Sequence, residues 1–179
     1  QREGESLEAG AAELWKHPQV LDELGQLMDV LESRIDHIHQ PLDCRPDAPL
    51  QLHARYTRPE ILMALGETKV KTATSWREGV KWMPEQKTDV FVFTLDKSGK
   101  RFSPTTRYRD YAVSPRIIHW ESQSTTSAAS PTGTRYQHHV QQGSIVLLFA
   151  RHSPDDRAFW FLGPARYMSH QGERPMAIH

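Results

Sequence analysis

Two strongly apolar segments constrain the fold of this chain more than any other feature. Asp89–Leu95 reads DVFVFTL, and Ser144–Ala150 reads SIVLLFA. Both are short and rich in β-branched or aromatic residues, which is typical of strands buried inside a sheet. The chain is therefore expected to build a β-rich core around these two strands.

Weaker strand patterns and one short helix surround the two apolar segments. The helix begins with the capping sequence Thr57-Arg58-Pro59-Glu60 and ends at Gly66, while Glu67–Ser75 and Ser122–Thr134 are predicted as polar loops. The remaining strands are predicted at Leu50–Tyr56, Gly79–Met83, Tyr111–Val113, Arg116–Glu121, Ala158–Leu162, Ala165–Ser169 and Arg174–Ile178, with a bend at Gly163-Pro164. Residues 48–179 are thus predicted to form an α+β domain, a small curled β-barrel or half-barrel with a preceding helical segment.

The first 47 residues carry a helical pattern. Apolar residues recur every three or four positions, which predicts helices over Ala11–Lys16 and Pro18–His39, separated at Pro18. Gln40–Pro49 contains three prolines and is predicted to be a linker. One amphipathic helix cannot bury its apolar stripe alone, so this segment is expected to pack on another part of a protein.

Charge is distributed unevenly along the chain although its total is zero. Residues 1–47 hold 4 basic and 11 acidic residues, whereas residues 48–179 hold 18 basic and 11 acidic residues. The basic portion is a candidate for an anionic partner, although a solvated surface explains such an imbalance equally well.

The stretch Phe102–Tyr136, between the two apolar segments, concentrates hydroxyl, guanidinium and aromatic side chains. Buried hydroxyl and guanidinium groups need hydrogen-bond partners, so this composition suits a binding surface better than a dry core. Arginine and hydroxyl side chains bind phosphates, and aromatic rings stack on bases. The mixture indicates nucleic acid, although strand aromatics are more often core residues.

The sequence lacks the motifs of several catalytic and metal-binding sites. The pairs His37/His39 and His138/His139 lack zinc-site spacing, and Glu85-Gln86-Lys87 lacks a convincing paired carboxylate for nuclease chemistry. Neither a Gly-x-Ser-x-Gly elbow nor a phosphate-binding Gly-x-x-x-x-Gly-Lys motif occurs. The isolated chain is therefore expected not to be an enzyme and to need no metal or cofactor.

The expected location is the cytoplasm. No apolar run approaches the roughly 20 residues of a membrane span, and the single cysteine, Cys44, excludes an internal disulfide framework.

Five segments in order resemble a C-terminal domain of unknown function that is attached to bacterial superfamily-2 helicases. They are LHARYTRPEILMALG (Leu52–Gly66), FSPTTRYRDYAVSP (Phe102–Pro115), HWESQSTTS (His119–Ser127), PTGTRY (Pro131–Tyr136) and FLGPARYMSHQGERPM (Phe161–Met176). Arg34-Ile35-Asp36-His37 resembles the helical tail of the helicase part. The resemblance assigns residues 1–47 to the end of a helicase part and residues 48–179 to a DNA-recognition domain similar in fold to SRA and other PUA-like domains.

The same resemblance implies a function within a larger protein. Many of these helicases carry a phospholipase-D-like nuclease and act as modification-dependent (type IV) restriction enzymes on DNA containing 5-methylcytosine or 5-hydroxymethylcytosine. The expected partners are double-stranded DNA with modified cytosine and the helicase and nuclease domains of the parent chain. The alternative is a protein-docking module that regulates a helicase-nuclease.

Within the expected pocket, the chemistry of individual side chains suggests a role for each candidate residue. Trp120 and Tyr111 are candidates to sandwich a flipped base, with Tyr108 or Trp82 as substitutes, and Asp110 or Gln123 to accept from the cytosine amine. Ser122 completes the candidate base pocket. The candidate DNA-backbone contacts are Ser103, Thr105, Arg107, Ser124, Thr125 and Arg135.

Overall fold

The computed structural model describes residues 7–33, 39–96 and 110–179. Tyr108, Ser103, Thr105 and Arg107 lie outside the described residues. The chain divides into two compact units, Gln1–Ile38 and His39–His179.

The first unit is helical. It contains α1 (Leu7–Leu14) and α2 (Pro18–Ser33), so the second helix begins at Pro18 as predicted. None of the α2 side chains is buried, and Leu24, Leu27, Met28 and Leu31 are among its exposed apolar residues. The apolar stripe read from the sequence is thus present on an exposed helix.

The second unit is an α+β structure whose main sheet is a curled half-barrel. Its strands are β1 (Gln40–Pro41), β2 (Gln51–Leu52), β3 (Arg55–Thr57), β4 (Val80–Met83), β5 (Thr88–Thr94), β6 (Tyr111–Ser114), β7 (Ile117–Glu121), β8 (Ile145–Arg151), β9 (Ala158–Ala165), β10 (His170–Gln171) and β11 (Ala177–Ile178). Its helices are α3 (Arg58–Ala64), α4 (Val70–Ser75) and α5 (Pro131–His138).

The two apolar segments lie side by side at the centre of this unit. The five-stranded sheet has the order β3-β9-β8-β5-β4, and β5 pairs with β8 in parallel. A parallel pair needs a crossover connection, which here contains β6, β7 and α5. A four-stranded sheet, in the order β10-β11-β7-β6, is formed partly from that crossover.

Side-chain alternation along β8 gives the main sheet two apolar faces. Leu147 and Phe149 belong to a core that includes Ile61 and Leu62 of α3. Val146 and Ala150 belong to a second core that includes Trp120 of β7. We call these the helix face and the hairpin face of the main sheet.

The capping sequence at Thr57 forms as predicted. The Glu60 carboxylate accepts hydrogen bonds from the Thr57 N–H at 2.7 Å and from the Thr57 hydroxyl at 2.8 Å. Gly66 follows α3 with a φ of +91°, a conformation that glycine adopts at little cost.

Several local predictions are wrong. Val70–Ser75 forms α4 instead of part of a loop, and β9 continues through Gly163-Pro164 with only a register shift where a bend was expected. The predicted loop Ser122–Thr134 runs into α5, because Pro131 sits in the first turn and the Ser130 hydroxyl caps Gly133 N–H at 3.1 Å.

The segment predicted as a linker, Gln40–Pro49, packs into the second unit. Leu42 is only 3 % exposed and belongs to the helix-face core, and β1 pairs with β2. Arg45 donates hydrogen bonds to Gln86 O and Thr88 Oγ1, both at 3.1 Å, which fixes the segment beside β5.

Candidate functional site

A cavity of about 690 Å³ lies against the hairpin face of the main sheet. Strand β8 contributes Val146 and Leu148 to one side, and the hairpin β6–β7 contributes Ala112 and Ile118 to the other. Ligand sites in proteins commonly enclose about 300–1,000 Å³, so this space is large enough for a nucleobase.

Three buried aromatic rings form one wall of the cavity. Phe91 lies 4.2 Å from Trp120 and 5.1 Å from Tyr136 between ring centroids, and all three residues line the cavity. Burial raises the pKa of the Tyr136 hydroxyl above its ordinary value, with the charge of Asp89 adding to the rise. The wall is therefore uncharged and well suited to a flat, apolar ligand surface.

Cationic and imidazole side chains also line the cavity. Arg116 follows β6 and Arg166 follows β9, and both are exposed, while His53 and His179 are half-buried. Among the residues that the structure describes, no aspartate or glutamate lines this space. The cavity thus combines apolar walls with guanidinium groups, which favours a flat ligand that carries negative charge.

His139 connects the residue before β8 to the segment that follows β9. Its side chain is buried, with Nε2 accepting from Tyr167 N–H at 3.1 Å and Nδ1 lying 3.3 Å from Ser144 O. The carbonyl accepts, so we assign the proton to Nδ1 and a neutral ring. His139 is therefore a positioning residue for Tyr167 and the neighbouring lining residues.

Only Trp120 of the described candidate base-pocket residues lines this cavity. Tyr111 pairs with His119 across the hairpin, and their rings stack at 4.6 Å with an interplanar angle of 18°. Because neighbouring strand residues face opposite sides, Tyr111 lies on the other face from Trp120. The structure therefore does not bring Trp120 and Tyr111 together around one space.

The candidate polar residues of the pocket make internal hydrogen bonds. Asp110 accepts from Glu121 N–H at 3.1 Å, and the Ser122 hydroxyl accepts from Met176 N–H at 2.9 Å. Gln123 Oε1 accepts from Thr126 Oγ1 at 3.3 Å and from the Tyr136 hydroxyl at 3.4 Å. These groups hold the ends of β7 and the following turn in place, and none of the three candidates lines the cavity.

Arg135 and Trp82 form a separate cluster on β4, β5 and α5. The Arg135 guanidinium donates to both carboxylate oxygens of Asp89, at 2.7 and 3.0 Å, and lies 4.3 Å from the Trp82 ring centroid. Two of its nitrogens are thus occupied by a buried carboxylate, and Trp82 is covered by a cation. Neither residue lines the cavity.

The other described candidates for DNA-backbone contact are exposed. Ser124 and Thr125 occupy a turn that Thr126 N–H closes on Gln123 O at 2.8 Å. Their contact with DNA stays a prediction.

Arg116, Arg166 and His139 were not among the residues chosen from the sequence. Arg116 was predicted as the first residue of a strand, but it lies in the turn between β6 and β7. Arg166 and His139 reach the cavity only through the pairing of β8 with β9, which no local pattern reveals.

No group of three histidine, cysteine, aspartate or glutamate side chains in the described ranges is arranged to bind a metal ion. In the same ranges, no helix is long and apolar enough to cross a membrane.

A family model described as "Domain of unknown function (DUF3427)" matches residues 50–178, which include most of the second unit and every cavity-lining residue except His179. The match covers well over half of the chain, so the chain belongs to this family. No curated protein matches the chain.

Proposed function

We propose that this DUF3427 domain recognises double-stranded DNA containing 5-methylcytosine or 5-hydroxymethylcytosine and binds the extruded base in the cavity beside β7 and β8. The single observation that carries the proposal is the composition of that cavity. It joins an aromatic wall to two arginines without a lining carboxylate among the described residues.

Each part of the cavity suits one part of a flipped nucleotide. A base extruded from a duplex loses its stacking partners, and apolar and aromatic walls replace part of that stacking. A 5-methyl group adds apolar surface that such walls favour. Arg116 and Arg166 would bind the phosphates on either side of the base, which adds affinity without base preference.

The proposal includes the setting indicated by the resemblance. The domain would act in the cytoplasm as the specificity module of a modification-dependent restriction enzyme whose helicase and nuclease domains perform the chemistry. It would therefore bind DNA without cutting it.

Filling the cavity tests the proposal. Ala112 is an exposed lining residue on β6, whereas its neighbour Val113 is 51 % exposed and does not line the cavity. Ala112→Trp should remove the preference for modified over plain duplex, while Val113→Trp, a matched control on the same strand, should retain it. Equal retention in both variants would contradict the cavity as the base site.

A docking module is the second candidate, and the exposed apolar residues of α2 favour it. Leu27, Met28 and Leu31 are each more than half exposed. Docking through α2 predicts that Leu27→Gln with Leu31→Gln abolishes association with the helicase and nuclease part and leaves DNA binding unchanged.

A further inference from the structure

An exposed methionine lies at the rim of the cavity, in residues 166–169 between β9 and β10. Met168 is 63 % exposed and lines the cavity. Leu162 on β9, the other large apolar residue in the described lining that is exposed, is 42 % exposed. Met168 therefore has the largest exposed fraction of the large apolar residues around the cavity opening.

The backbone around Met168 is anchored by hydrogen bonds. Met168 N–H donates to His179 O at 2.8 Å, and His179 N–H donates to Ser169 O at 2.9 Å. The preceding residue, Tyr167, donates its N–H to Nε2 of the buried His139 at 3.1 Å. Met168 is thus exposed although its backbone is fixed, so its position relative to the cavity is defined.

A cation stands beside Met168 on the solvent side of this segment. Arg166 and Met168 are exposed, whereas Tyr167 between them is half-buried and packs against the hairpin-face core. Arg166 also lines the cavity. The cavity opening therefore presents a guanidinium group and a free apolar side chain two residues apart.

This combination matches what a duplex requires when one of its bases is extruded. Extrusion leaves a gap between the neighbouring bases, and proteins that open a base stack commonly insert an apolar side chain, methionine among others, into it. The methionine side chain is unbranched and adapts to irregular spaces. An arginine beside it can bind the phosphate next to the gap.

We propose that Met168 is the wedge of this domain, entering the base stack while the extruded modified cytosine occupies the cavity. The proposal rests on the function proposed above for the cavity. The aromatic wall replaces the stacking that the extruded base loses, whereas Met168 replaces the stacking that the bases left behind lose. Arg166 holds the adjacent phosphate during this exchange.

One duplex in four forms tests the wedge by fluorescence anisotropy with the full chain. A single position holds cytosine, 5-methylcytosine, 5-hydroxymethylcytosine or an abasic sugar. The abasic form presents the gap without a base, so it reports on the wedge separately from the cavity. Met168→Ala is the main variant, and Met168→Leu keeps an apolar chain of similar size. Met63→Ala is the matched control, because Met63 on α3 is 48 % exposed and does not line the cavity.

The wild type should bind the abasic form and at least one modified form more tightly than the plain form. Met168→Ala should weaken binding to these preferred forms at least about fivefold, the lower end of the range for one stacked base, and leave binding to the plain form unchanged. Met168→Leu and Met63→Ala should bind all forms as the wild type does. Ala112→Trp, which fills the cavity, should lose the preference for modified cytosine and keep the preference for the abasic form.

The outcomes separate the wedge from the cavity. If Met168→Ala loses affinity for a modified form but not for the abasic form, Met168 contacts the extruded base and the wedge proposal is overturned. Unchanged binding by Met168→Ala, or a loss found only in Leu162→Ala, would also overturn it. A wild type that prefers the abasic form through Met168 but neither modified form would contradict the function proposed for the cavity and support Met168 as the residue that fills the gap.

Discussion

Arg135 on α5 forms a two-point ion pair with Asp89 on β5, with Nε 2.7 Å from Oδ2 and Nη2 3.0 Å from Oδ1. The Asp89 side chain is fully buried, and that of Arg135 is 17 % exposed. The pair joins the crossover helix to a central strand. Arg135 was selected from the sequence as a phosphate contact, which stays a prediction, and the structure places it in this internal ion pair.

Removing Arg135 should destabilise the fold. Arg135→Ala leaves a buried carboxylate without its partner, a change that typically costs about 3–5 kcal/mol. Urea unfolding at pH 7 measures the loss. The double variant Asp89→Leu/Arg135→Met removes both charges and should recover much of the stability, so an Arg135→Ala protein as stable as the wild type would contradict the assignment.

The effect of Arg135→Ala should depend on pH. Burial raises the pKa of Asp89 above its ordinary value, and the hydrogen bonds from Arg135 oppose the rise. Without Arg135 the folded protein binds a proton on Asp89 more readily, so its stability relative to the wild type should improve as pH falls. The measurement is the difference in unfolding free energy between the two proteins at pH 7 and pH 4. A difference that stays constant would contradict this account.

Trp120 is both a core residue and a cavity residue, so its replacement has to separate the two roles. It is 6 % exposed and packs on Phe91 and Tyr136. Trp120→Ala should cost about 3–5 kcal/mol of stability, as large-to-small core changes do. Trp120→Phe should fold and still reduce the preference for modified DNA, by at most the roughly 1–3 kcal/mol of a stacked base. If a folded Trp120→Phe protein kept the full preference for modified over plain DNA, Trp120 would not be part of the base site.

The arginines of the cavity should contribute affinity without base preference. Arg116→Gln and Arg166→Gln should each weaken binding to plain and modified duplex alike and lower the salt slope by about one. Arg174→Gln, an exposed arginine that does not line the cavity, is the control. Loss confined to the modified duplex would show that these residues read the base.

The capping box at Thr57 should give a stability contribution that acid removes. Hydrogen bonds from the backbone N–H and the hydroxyl of Thr57 lower the pKa of Glu60. This stabilisation is present above the unfolded pKa of about 4.3 and is lost as pH falls through the lower folded value. Glu60→Gln should therefore be less stable than the wild type at pH 7, with the difference shrinking below pH 4. The exposed Glu85→Gln serves as the control, and a difference independent of pH would contradict the cap.

The elements governed by local chemistry could be predicted from the sequence. Strand β5 follows from its β-branched and aromatic residues, β8 from its continuous apolar run, and α3 from its capping box. Helix α5 had a local signal too, because Ser130 and Pro131 occupy the cap and first turn, yet the many serines and threonines before it favoured a loop. At Gly133 a β-carbon would lie 2.0 Å from Ser127 O, so this close packing requires glycine, and no local pattern predicts it.

The site was less predictable because it depends on strand register. Tyr111 and Trp120 were grouped because aromatic rings can stack on a base, but a register shift between Ala112 and Ser114 fixes which residues of the β6–β7 hairpin face each other. That shift places Tyr111 against His119 and leaves Trp120 on the cavity side. Arg166 and His179 lie far in sequence from the β6–β7 hairpin, so only the folded chain brings them to the same cavity as Trp120.

The most direct test of the account is fluorescence-anisotropy binding of the wild-type chain to one short duplex. The duplex is prepared plain, 5-methylated and 5-hydroxymethylated at cytosine, and each form is titrated at two salt concentrations. A cavity that reads modified cytosine predicts tighter binding to at least one modified form at both salt concentrations, with affinity for all forms falling as salt rises. Equal affinity for the three forms, or no binding to any of them, would contradict the assignment of the cavity as a reader of modified cytosine.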